Sequence, residues 1–269
     1  MRPTSTRLRD HVDAHAHRVR EAFGLSSHED LTTRPLQQVD LDDDVTTRLA
    51  DFNIEWYVIP PSSLVPFDSE YLLKMYARRS PAFDEARYEA LSIRQMLESA
   101  HQRVQGTIVG IESTEKPYYV PGNPSFYGTR YGLDPTFDPF RMYFERAGLK
   151  SGPRFINSRF AHTPATLRSL GEIVNGDWRS RDLVPPGYEL TVCPPTVFNL
   201  VGMLFHPEWS QTATLELSAY WDDRGNAVGL AVGSHGPGDF SYVRSVESDA
   251  DLSQLGFRVA LVPASVRGR

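Results

Sequence analysis

The chain has 269 residues, with 40% hydrophobic and 23% charged, close to globular averages. Its length fits one large domain or two intimately packed ones. The net charge is −6 and no stretch concentrates Lys and Arg, which excludes the basic stripe of a nucleic-acid binder. There is no apolar run of membrane-spanning length, and the N-terminus has no apolar signal core. Cys193 is the single cysteine and cannot form an internal disulfide. These features point to a soluble, cytoplasmic protein whose partner is a small molecule rather than nucleic acid or membrane.

In chain order, residues 1–45 read as an N-terminal helical or flexible segment. Leu8, Val12, Ala16, Val19 and Phe23 recur at helical spacing. His11 and His15 lie four apart, the spacing at which two imidazoles can meet one metal ion, on what reads as a solvated polar face. The acidic run Asp40, Asp42, Asp43 and Asp44 suits a helix start, where negative charge complements the helix dipole.

Residues 46–187 read as an α-rich half. "IEWYVI" is a strand broken by Pro60 and Pro61, and a helix is expected over "SPAFDEARYEALSIRQMLESAHQRV", ended by Gly106 and followed by the strand "TIVGI". Residues 112–140 form a long Pro-, Gly- and aromatic-rich loop, the kind that serves as a lid or binding loop. Phe126, Tyr127, Arg130 and Tyr131 are its candidate substrate-binding residues; Phe140 and the other rings are further candidates to line a pocket, or else to pin the loop to the core. Helices then follow over "DPFRMYFERAG" and "TPATLRSLGEIVNGDWRSR".

Residues 188–269 read as an antiparallel β unit: "YELTVC", "VFNLVGMLF", "TATLELSAYW", "AVGLAVGS", "FSYVRSV" and "GFRVALV". The predicted fold is therefore α+β, a helical N-terminal half packed on a mostly antiparallel sheet or barrel-like unit.

Two imidazoles and a carboxylate leave positions open on a mononuclear Fe(II) ion, which is what an oxygenase needs. His206, Glu208 and His235 are the candidates. On a strand His206 and Glu208 would share a face, and Arg244 could anchor a substrate carboxylate. A second constellation, Arg159 and His162 ahead of a helix N-terminus, suits an anionic ligand or metal-free acid–base chemistry. Cys193 invites a nucleophile reading, against that of an inert buried thiol.

The stretches "VFNLVGMLFHPEWS", "VGLAVGSH", "VRSV" and "LGFRVALVP" are similar, in that order, to the closing motifs of the sulfatase-modifying (formylglycine-generating) family. The resemblance implies a C-type-lectin-like C-terminal region, compatible with a non-catalytic module that binds a ligand or partner. Phe205 and His235 stand where that family has tryptophans, and one cysteine cannot supply the pair of its catalytic members, so no site residue carries over.

Overall fold

A computed structural model describes residues 6–31, 43–65, 104–113, 139–146, 164–206, 209, 215–221, 227–233, 242–246 and 255–264. Helix α1 (Thr6–Phe23) buries Leu8, Val12, Ala16 and Val19, the stripe that the spacing predicts, and packs against α2 and β1. Helix α2 (Asp43–Ala50) opens with Asp43 and Asp44 in its first turn. The short α3 (Arg141–Arg146) and the longer α4 (Pro164–Ser180) also fall where the sequence places them. The expected helix ahead of Gly106 lies almost wholly outside the described residues.

The described strands form two open four-stranded sheets. The first has the order β1 (Ile54–Ile59), β2 (Thr107–Glu112), β8 (Val259–Pro263), β3 (Tyr188–Val192), with every neighbour antiparallel. It draws strands from both sides of residue 187. The second has the order β6 (Tyr242–Val246), β5 (Ala227–Gly233), β4 (Leu215–Trp221), β7 (Leu255–Phe257). There β4, β5 and β6 form an antiparallel meander, and β7 joins β4 in parallel. The fold is α+β, and neither sheet closes into a barrel.

Packing in the first sheet is tight enough to dictate residue size. A Cβ on Gly110 would sit 3.0 Å from Ile54 Cγ2 and 3.3 Å from Leu261 Cβ, so any larger residue there would press on both neighbours. At the β3 edge, Asn175 of α4 stands in for a neighbouring strand. Its Oδ1 accepts from Leu190 N–H (2.7 Å) and its Nδ2 donates to Leu190 O (2.6 Å), satisfying an edge that would otherwise invite pairing.

Two expectations need correction. "VFNLVGMLF" is not a strand: residues Pro195–Leu204 form helix α5, entered through Pro194 and carrying a proline in its first turn. An apolar run of this length has no period that separates a buried helix from a buried strand, and Val197, Phe198, Leu200, Val201 and Leu204 are buried around most of the helix. "GFRVALV" is not one strand but two. The chain breaks at Arg258, so that β7 serves the second sheet and β8 the first.

Candidate functional site

Arg258 is 2% exposed and sits at the point where the chain passes between the sheets. Its Nη2 and Nε donate to Glu216 of β4 at 2.9 and 3.1 Å, a two-pronged pair, and its Nη1 donates to the carbonyl of Glu112 at the end of β2. The Glu112 side chain is buried too and accepts from the Val259 amide (3.4 Å). The guanidinium lies 3.8 Å from the centroid of Trp209, an ion-to-ring contact that supplies further stabilisation to the buried charge.

Trp209 carries the contact network outward. On leaving α5, the Phe205 amide donates to Val201 O, and Trp209 N–H donates to His206 O (3.0 Å). The His206 ring lies parallel to the Trp209 indole, 4.5 Å between centroids and 6° between planes. His206 does not lie on a strand but two residues beyond the end of α5 at Leu204, and Glu208, the other proposed ligand of that pair, lies outside the described residues.

Strand β1 supplies the other side. Alternation puts Glu55 and Tyr57 on the same face, and the Tyr57 hydroxyl donates to Glu55 Oε2 at 2.7 Å. The same hydroxyl lies 2.6 Å from His206 Nε2, and Glu55 Oε2 is 3.9 Å from that nitrogen. One phenol thus bridges an imidazole and a carboxylate. The Tyr57 residue is fully buried, whereas the side chains of His206 and Glu55 are 16% and 43% exposed, so the bridge runs from the core to solvent.

Helix α1 covers this bridge. His15 stacks on Tyr57 (4.6 Å, 4°), touches Phe205 (4.3 Å) and His11 (4.1 Å), and donates from Nδ1 to Trp56 O (2.9 Å). A carbonyl only accepts, so Nδ1 carries the proton and the neutral ring keeps its lone pair on Nε2. Burial, then repulsion from His11, pulls the pKa of His15 down to about 4. His11 Nε2 is buried and finds no hydrogen-bond partner.

Of the residues nominated for the iron site, the acid–base pair and the binding loop's substrate contacts, His206 alone is described in full. Glu208, His235, Arg159, His162, Phe126, Tyr127, Arg130 and Tyr131 lie outside the described residues, and Arg244 is placed only by its backbone, opposite Ala231 in β6. No group of three or more His, Cys, Asp or Glu suited to a metal ion occurs among the described residues. Phe140, a candidate pocket ring, is instead a core residue packed on Phe52 and Trp178. Cys193 is buried and its thiol is pushed well up by burial, which disfavours the thiolate that a nucleophile needs.

Sequence reasoning missed Glu55, Tyr57 and Arg258. The available signal was a carboxylate and a phenol two apart in a strand otherwise apolar, and an arginine flanked by apolar residues on both sides. No described helix is long and apolar enough to cross a membrane. Comparison of the chain with protein-family models, with curated proteins and with solved structures finds no match.

Proposed function

We propose that this chain is an enzyme that exchanges a proton with a small organic substrate at the Glu55–Tyr57–His206 bridge. The observation that supports it is the single phenol within hydrogen-bonding distance of both an imidazole (2.6 Å) and a partly exposed carboxylate (2.7 Å). Glu55 is the end that a substrate reaches. Its carboxylate takes a proton from an acidic C–H, N–H or O–H group, or returns one, and Tyr57 links it to His206, the second titratable group, so that charge gained at one end is balanced through the phenol at the other. Trp209 stacks on the imidazole face and the Tyr57 hydroxyl meets its Nε2, so the ring is oriented as general acid–base chemistry requires.

The test is proton exchange. The protein is incubated in D2O with a panel of small carbonyl and carboxylate metabolites, and deuterium uptake is read by NMR. Uptake that drops at least ~10²-fold in Glu55→Gln and in Tyr57→Phe supports the reading. Exchange undiminished in Glu55→Gln overturns it, as does stoichiometric iron that disappears in His206→Ala, which would return the site to metal chemistry.

A further inference from the structure

Helix α1 is bound to the sheet in two ways. One is the ordinary apolar stripe of Leu8, Val12, Ala16 and Val19. The other is His15, which enters an enclosure made by Tyr57, Phe205 and His11, with ring centroids 4.1–4.6 Å away. Its Nδ1–H fills the Trp56 carbonyl of β1. Beneath it Tyr57 is wholly buried.

The groups that face His15 come from three elements. His11 is on α1 itself, Glu55 and Tyr57 are on β1, and His206 follows α5; Arg18, whose guanidinium lies 5.4 Å from the Phe205 ring, adds a positive charge at the outer rim. Glu55 is the one acid among them, and it is already engaged by the Tyr57 hydroxyl. A positive charge placed on His15 would therefore sit in a largely buried, ring-lined space, with His11 in contact at 4.1 Å and Glu55 the one attractive charge, which does not offset the loss of water around the ring.

We infer that α1 is a proton-operated cover over Tyr57, which opens away from β1 when His15 is protonated. The apolar stripe keeps the cover closed at neutral pH, where His15 is uncharged. Acid shifts the balance because the open form, with the imidazole in water, binds the proton at its ordinary affinity and the closed form does not.

The sign and size follow from linkage. His15 has a lowered pKa, about 4 when closed against 6.5 when free, so closure is strengthened above pH 6.5 and weakened as pH falls from 6.5 toward 4. Below about pH 4 both forms are protonated and the effect levels off. Between pH 7 and 4.5 the open fraction is expected to rise on the order of 50-fold.

Hydrogen exchange tests this on the whole chain. Corrected for the intrinsic pH dependence of exchange, protection of α1 amides should fall roughly 50-fold from pH 7 to 4.5, whereas protection of β2 and β8 stays within a few-fold. His15→Phe, which can stack but not protonate, should hold α1 protection flat over the same range. Imidazole NMR on the wild-type chain gives a second readout that needs no variant, a His15 titration midpoint well below 6.5. The inference is overturned if α1 protection does not change with pH, if β2 and β8 lose protection together with α1, or if His15 titrates at its ordinary value. None of these outcomes bears on whether Glu55 transfers protons.

Discussion

Arg258 shows how much a single side chain can decide. A buried arginine is tolerated because its partners are in place: the carboxylate of Glu216, the carbonyl of Glu112 and the face of Trp209. Removing one member of such a pair leaves a bare charge in the core, so Arg258→Met is expected to destabilise the chain by about 3–5 kcal/mol. Replacing both members, as in Arg258→Met with Glu216→Leu, is expected to recover most of that loss, because no charge is then stranded. Denaturant midpoints of the two variants check this; equal losses would mean that the pair does more than neutralise itself. Gly110 is a second sensitive residue. Gly110→Ala pushes a methyl against Ile54 and Leu261 in a strand buried along its whole length, and a loss of about 1–3 kcal/mol is expected in the same measurement.

Among the elements, those with an uneven apolar pattern were legible and those without were not. Helices α1 and α4 each have one buried stripe, and β3 alternates buried and half-buried positions, so a helical or a two-residue period reveals them. Helix α5 is apolar on nearly all sides, and its identity rests on the Pro194–Pro195 entry and on tertiary packing. Phe198 is fully buried and stacked at 5.4 Å on Trp209, so Phe198→Ala is expected to lose about 3–5 kcal/mol in chemical denaturation, a size that marks α5 as core rather than surface. The bridge was invisible for a different reason. Glu55 and His206 are 151 positions apart in sequence, and only the docking of β1 beside the end of α5 brings them together. The same holds for Asn175, an ordinary polar residue on a helix face until the structure shows it bonded to both backbone groups of Leu190.

At the scale of the molecule, α1 lies over β1, β1 begins the first sheet, and Arg258 ties that sheet to the second. The rings of His15, Tyr57, His206 and Trp209, stacked at His15–Tyr57 and His206–Trp209 and edge-on at Tyr57–His206, trace a continuous route between the covering helix and the buried ion pair. Because Arg258 touches Trp209 and Trp209 carries His206, Trp209→Leu is expected to loosen the imidazole while leaving the Glu216–Arg258 pair formed. Broadened His206 ring signals in NMR with an unchanged fold check that, and a sharp, unshifted signal would show that Tyr57 alone fixes the ring.

Strand β8 is the last in sequence of the eight described strands yet sits in the interior of the first sheet, between β2 and β3. During synthesis the β1–β2 pair and β3 therefore emerge from the ribosome with an open slot between them, and the residues from Val259 onward must arrive before the two can be joined. Such long-range closure is slow compared with local pairing. A nascent chain halted just before Leu255 holds two unfinished sheets with bare edges, and chaperones that shield such edges would be needed most at that moment.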